Sequence, residues 1–281
     1  MTAVRTVMIN LAILSTFFVP ACLKRPADKT SALNVSNVDE AGDLWKQFPE
    51  VVQIEIKDKM GKTIQLCSGT FVNDLMLVTA AHCMFDGKRN RADHIVFKSE
   101  DQIEHKGKIF VNSSYDPRKA ERYQITSDMA MVAFDPGQSS KPVAPGTAKF
   151  GKGEPLKNNE EIILVGFGDD DLAKNSGAGA KRAGENVVKG NSRDNTFRFW
   201  GIAAADGNTK PGTLSSIGSG DSGGAIFRKQ DHSFVGIMSQ STGPMKTPRE
   251  VGIINYAVDL HHKDTLDFYE KTISRICNTQ K

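Results

Sequence analysis

The sequence has no excess of one charge. Its 36 Lys and Arg stand against 33 Asp and Glu, a net charge of +3 with histidine neutral, and no Lys/Arg tract occurs. A polyanion-binding surface needs clustered positive charge, so no nucleic-acid partner is expected. The apolar stretch at 7–19 is broken by Asn10, Ser15 and Thr16. It is well short of the roughly 20 residues that a bilayer-spanning helix requires. No Cys-x-x-Cys and no paired-histidine spacing accompanies the 4 cysteines, so no metal site is expected. His261 and His262 are adjacent, which turns two rings apart on a helix, and they read as surface residues. No internal repeat is evident. The balance of 39% hydrophobic and 25% charged residues excludes a collagen, a coiled coil and a wholly disordered chain.

What is present begins with an export address. Arg5 precedes the short apolar core, and Lys24, Arg25 and Pro26 end it. Val19-Pro20-Ala21 before Cys22 resembles a bacterial lipobox, which would make residues 1–21 a lipoprotein-type signal and Cys22 the lipidated first residue. An ordinary signal peptide cut near Ala21 is the alternative. Residues 22–47 form a polar tether or propeptide. Leu23 lacks the acidic character associated with inner-membrane retention, which favours an outer membrane; periplasmic or secreted protein is the other outcome. An exported chain lies where disulfides persist, so Cys67, Cys83 and Cys277 are expected to give one pair and one leftover thiol.

From residue 48 onward, short β-type runs recur between turn residues, at 51–56, 63–66, 69–72, 76–79, 95–97, 108–111 and 129–134. A second set covers 161–166, 196–200, 224–227, 234–239 and 252–258. This is the pattern of an all-β sandwich or barrel, not of βαβ units. The proline-bearing segment 135–145 is the natural crossing between two lobes. Residues 169–195, rich in Gly, Asn, Asp and Lys, read as a surface loop, with Asp169-Asp170-Asp171 as a solvated turn in it. The tail 259–277 is the one convincing helix, with Leu266, Tyr269, Ile273 and Ile276 at helical spacing.

Three short motifs carry chemistry. In Gly220-Asp221-Ser222-Gly223-Gly224 a serine is flanked by glycines that permit a tight turn, exposing Oγ and aiming two backbone N–H groups at one point. Taken alone, it fits the nucleophile elbow of α/β-hydrolases as well as the nucleophile loop of another hydrolase class. Thr79-Ala80-Ala81-His82-Cys83 puts a histidine at the end of an apolar strand, beside a cysteine that can staple it in place. Ser127-Asp128-Met129-Ala130-Met131-Val132 puts a carboxylate at the mouth of a buried strand, where it needs a partner such as an imidazole N–H. The order His82, Asp128, Ser222 opposes the Ser, Asp, His order of α/β-hydrolases.

In these motifs and their intervals of 46 and 94 residues, the chain resembles the chymotrypsin/trypsin-like serine peptidases over residues 48–258. The resemblance implies two antiparallel six-stranded β-barrels, about 48–135 and 146–258, with a C-terminal helix. It implies Ser222 as nucleophile, His82 as general base and Asp128 as its orienter, the family's Ser-His-Asp template. It also implies an oxyanion hole from the N–H groups of Gly220 and Ser222, and a Cys67–Cys83 disulfide. Ser216 falls at the base of the specificity pocket, where trypsin-like members carry an aspartate. Ser239, Ser241 and Gly252 match pocket walls, with Ser239 beside the triad carboxylate. A neutral pocket favours an apolar residue before the cut. Protein or peptide substrates, no cofactor and a monomer are expected. The non-enzyme alternative is a catalytically silent protease-like binding module or adhesin.

The chain also departs from that family. Gly218 occupies the position of a cysteine that braces the nucleophile loop, so a looser loop is expected. Asp221 matches the carboxylate that pairs with a newly cut amino terminus, yet Asn37-Val38-Asp39-Glu40 has neither the glycine pair nor the preceding basic residue of a cleavage site. Either Asp221 has another partner, or activation requires a cut between Cys22 and Phe48.

Overall fold

A computed structural model describes residues 43–98, 103–119, 125–135, 143–150, 154–168, 179–191, 196–202, 215–242, 245–246 and 251–279. Residues 1–21, expected to be an export signal, Cys22, most of the expected tether, most of the 135–145 segment, Asp169-Asp170-Asp171 and the Cys277 side chain lie outside the described residues.

Six strands close the first barrel: β1 (Val51–Lys57), β2 (Thr63–Asn73), β3 (Met76–Thr79), β4 (His94–Lys98), β5 (Glu104–Val111) and β6 (Ala130–Phe134), in the order β1-β2-β3-β6-β5-β4. Their two-residue period is clearest in β5, where His105, Gly107 and Ile109 are buried while Glu104, Lys106 and Lys108 face water. Phe71 meets the edge of Phe97 at 5.3 Å between ring centres, and both pack near Phe134 at the barrel's centre. Gly107 is required by close approach: a Cβ there would sit 2.3 Å from Val132 Cγ1.

The second barrel comprises β7 (Glu161–Gly166), β8 (Arg182–Asn191), β9 (Thr196–Ile202), β10 (Ala225–Arg228), β11 (Phe234–Ser241) and β13 (Val251–Asp259), closed by pairing of β11 with β13. The two-residue β12 (Met245–Lys246) hangs on the edge of β13. Its core is built from Ile162, Leu164, Val188, Phe197, Phe199, Ile226 and Val235. A continuous apolar seam joins the barrels, in which Phe48 at the entry to β1 stacks on Phe227 of β10 at 4.4 Å. Both barrels are antiparallel throughout, and α1 (Lys263–Thr279) follows.

The structure departs from the sequence reading in four places. The runs 63–66 and 69–72 are one strand, because Cys67 and Ser68 stay in register with Ile54 and Gln53 of β1. Residues 182–191, read as loop, form β8, without which β7 and β9 could not be joined. Its polar composition hides an inward Asn186, whose amide donates to Trp200 O and Ser215 O, both at 2.8 Å. The helix begins at Lys263, because β13 runs on to Asp259 and a turn follows. His261 lies in that turn with its ring 6% exposed, Nδ1 3.4 Å from Asp259 Oδ1, so it is not a surface residue.

Helix α1 buries Ile273 and Ile276 against the first barrel and stacks Tyr269 on Phe150 at 4.6 Å. Thr265 and Thr272 are buried with them. Among the described residues no helix is long and apolar enough to cross a membrane.

Candidate active site

His82 opens a short 3-10 turn, His82–Met84, just after β3. The Cys67–Cys83 disulfide ties this turn to β2. Asp128 follows a second such turn, Ile125–Ser127, and lies two residues before the start of β6. Because β3 and β6 are paired, Thr79 against Ala130, their ends bring the two motifs together across 46 residues. His82 Nδ1 lies 2.7 Å from Asp128 Oδ2, and the His82 main-chain N–H donates to Oδ1 at 2.7 Å. The Ser239 hydroxyl of β11 donates to Oδ2 at 2.6 Å. Asp128 is only 3% exposed. Burial opposes its ionisation, but the His82 charge and the hydrogen bonds from His82 and Ser239 prevail and hold the carboxyl below its ordinary value. An ionised carboxylate only accepts, so Nδ1 carries a proton directed at Asp128.

Ser222 stands between two glycines in left-handed conformations, Gly220 at φ +98° and Gly223 at φ +83°. A Cβ on Gly223 would lie 2.0 Å from Thr79 Oγ1 and 2.3 Å from Ser68 O, so this turn abuts the first barrel only because Gly223 lacks a side chain. The Ser222 hydroxyl points toward Ser239 O at 3.5 Å. Other N–H groups of the turn are spent within the second barrel: Asp221 on Gly218 O, Gly223 on Met238 O of β11 and Gly224 on Asp221 O. No described residue accepts from the N–H of Gly220 or of Ser222.

Asp221 is received by the end of β7. Its Oδ1 accepts from Gly168 N at 2.8 Å and its Oδ2 from Gly218 N at 2.9 Å. Gly166 and Gly168 make room for it, since a Cβ on Gly168 would sit 2.4 Å from Asp221 Cγ. The Gly168 carbonyl in turn accepts from Arg182 Nη1 at 2.9 Å.

Ser216 is anchored by a residue the sequence reading did not single out. Asn255, wholly buried on β13, donates from Nδ2 to Ser216 Oγ at 3.1 Å and accepts at Oδ1 from Ile217 N at 3.0 Å. Gly201 leaves the space, as a Cβ there would overlap Ser216 Oγ at 1.6 Å. Ser241 pairs with Asn255 in the β11–β13 ladder, and Gly252 lies further along β13, paired with Met245 and Ile202. Ser239 is taken up by Asp128. The available signal for Asn255 is its place in β13: it shares a face with Ala257, a core position where an amide is unexpected. Among the described residues there is no cluster of three or more His, Cys, Asp or Glu able to hold a metal.

The sequence model of the family named Trypsin matches residues 45–261. The chain belongs to the trypsin family. As a member it is a serine endopeptidase, and the two closed barrels are those of that fold. Solved structures agree on the fold. A thermostable serine protease, AL20, from an extremophilic microorganism superposes with a TM-score of 0.57 at 15% identity, covering 81% of this chain and 98% of that one. The protease Anisep from Arthrobacter nicotinovorans gives 0.55 at 13% identity, covering 80% and 96%. A Glu endopeptidase in complex with MPD gives 0.54 at 14% identity, covering 81% and 91%. No curated protein matches the sequence significantly.

Proposed function

We propose that this trypsin-family peptidase cleaves peptide bonds through His82, Asp128 and Ser222 by an acyl-enzyme route, in a pocket without fixed charge. The observation that carries the reading is Asp128, buried and ionised, accepting from both the ring and the main chain of His82. That arrangement fixes the imidazole's tautomer and leaves Nε2 as the base. Ser222 Oγ attacks the scissile carbonyl carbon while its proton passes to Nε2. The oxyanion accepts from the N–H groups of Gly220 and Ser222. Collapse expels the amine, protonated by His82, and leaves the acyl group on Ser222. Water, deprotonated by His82, then attacks the ester and restores the hydroxyl.

Ser216, Ser241 and Asn255 are all neutral, which supports an apolar or small residue before the cut. The two N–H groups on Asp221 support a nucleophile turn that is assembled in the uncut chain. Export is supported by the Cys67–Cys83 disulfide, which persists in oxidising compartments. Anchoring through lipidated Cys22, outer-membrane location and a monomeric state complete the proposal.

Fluorophosphonate labelling of the chain from Cys22 onward, with Ser222→Ala as control, tests it. Labelling of the uncut wild type alone is expected. Labelling only after the segment before Phe48 is trimmed would mean a zymogen. No labelling in either form would favour the binding-module alternative.

A further inference from the structure

Ser68 belongs to β2 of the first barrel and is wholly buried, yet its polar groups serve the turn that carries Ser222. Its main-chain N–H donates to Ser222 O at 2.8 Å, and its carbonyl accepts from Thr79 Oγ1 at 2.8 Å. Its hydroxyl donates to Gly220 O at 2.8 Å and accepts from Phe167 N at 3.0 Å. The direction of that hydroxyl is forced: an N–H only donates and a carbonyl only accepts, so the proton points at Gly220. One residue thus holds the carbonyls of both Gly220 and Ser222, the two whose N–H groups have no described acceptor. Glycine does not enforce φ +98° by itself; it merely permits it, and the peptides on either side of Gly220 are free to rotate unless something else fixes them. The adjoining N–H of Gly168 holds Asp221 Oδ1, so consecutive amides at the end of β7 reach the turn by two routes, one through the Ser68 hydroxyl.

We infer that Ser68 is a positioning residue for the oxyanion site: its hydroxyl, locked by Phe167 N–H, fixes the Gly220–Asp221 peptide while its main-chain N–H fixes the Ser222–Gly223 peptide, and the Gly220 and Ser222 N–H groups are presented to the developing negative charge from the frame these two peptides hold. The inference rests on the proposed roles of Ser222, Gly220 and His82. Ser68 touches no substrate, so its removal should weaken the transition state and spare the ground state.

The test uses the chain from Cys22 onward with Ser68→Ala, Ser68→Thr and Ser68→Cys. Stopped-flow acylation by N-acetyl-alanine p-nitrophenyl ester gives the maximal rate and half-saturating concentration, and phenylboronic acid gives affinity for a tetrahedral adduct. Outright loss of an oxyanion donor costs about 10²–10³ in rate, so a misdirected one should cost about 10–100-fold. Ser68→Ala is expected to lose that factor in both maximal acylation rate and boronic acid affinity, with half-saturation changed less than about 2-fold. Ser68→Thr should recover most of the rate, and Ser68→Cys, a weak donor in the same place, should fall between. If Ser68→Ala does not fold, the Thr and Cys variants decide: reduced Cys beside near-normal Thr supports the inference, and Cys equal to wild type overturns it. An unchanged acylation rate with a lowered melting temperature would also overturn it, as would a loss confined to half-saturation. An inert wild type would remove the underlying reading as well, whereas an active wild type matched by Ser68→Ala removes this inference alone.

Discussion

The Ser239 hydroxyl of the second barrel donates to Asp128 Oδ2 of the first at 2.6 Å. The carboxyl's lowered pKa makes this a stability relationship as well as a positional one. A depressed carboxyl stabilises the fold fully above its unfolded value, about 3.9, and loses that contribution as pH falls through the lower folded value. Ser239→Ala should raise the folded value, so that acid unfolding begins at a higher pH. At neutral pH it should cost about 1.5–3 kcal/mol, the range for hydrogen bonds to charged groups. Urea unfolding at steps from pH 7 to pH 2 measures both, and Asp128→Asn should flatten this part of the pH dependence.

Gly168→Ala places a methyl group where Asp221 Cγ lies 2.4 Å away. Neither side can give without breaking the Gly168 N to Asp221 Oδ1 bond. Overpacking of this kind costs about 1–3 kcal/mol. The expected outcome is a folded protein, with both barrels intact by circular dichroism, that reacts with a fluorophosphonate at least about 10-fold more slowly because the turn is displaced. Labelling at the wild-type rate would show that Asp221 does not govern the turn.

The Cys67–Cys83 bridge closes a separation of 16 residues. A loop of that length is worth about 3 kcal/mol on chain-entropy grounds. The double variant Cys67→Ala/Cys83→Ala should lose about that much in urea unfolding. It should also lose acylation rate, because the bridge ends adjoin Ser68 and His82. Equal activity at lowered stability would confine the bridge to a purely structural role.

Asn255→Ala leaves Ile217 N–H without its acceptor in a sealed interior. A buried donor left unmade costs about 1–3 kcal/mol, measurable by urea unfolding. Ser216 loses its tether at the same time, so half-saturation for ester substrates should rise more than the maximal rate falls. Asn255→Ser, too short to bridge both partners, should behave like Asn255→Ala.

The candidate residues His82, Asp128 and Ser222 stand out in the sequence because each sits where an apolar strand or a glycine turn announces a boundary. Their intervals then supply the order. Strand β8 is not legible: Lys189, Gly190 and Asn191 have the composition of a loop, and only the need to join β7 to β9 makes them strand. Ser68 and Asn255 are hidden for a different reason. A polar residue in a strand reads as solvent-facing, and although Asn255 shares a face with Ala257, neither position says which distant residues supply its partners. The support of Asp221 by Gly168 and Gly218 is likewise a property of loop paths, since main-chain donors leave no residue-type signal. The absence of a cysteine at Gly218 suggests a loose nucleophile turn. In its place the Ser222 turn is held by main-chain and side-chain hydrogen bonds to Ser68, Met238 and Gly168.

The partition of the site between two barrels has a bearing on the chain's own synthesis. His82 and Asp128 belong to the half made first, whereas Ser222 follows β9, after three of the second barrel's six strands, and Ser239 lies later still, in β11. Domains tend to form from the amino terminus as the chain emerges. On the proposed assignment, a molecule that has made only the first barrel holds no nucleophile. On that assignment hydrolytic capacity arrives only with the final third of the chain, after the first barrel has been made.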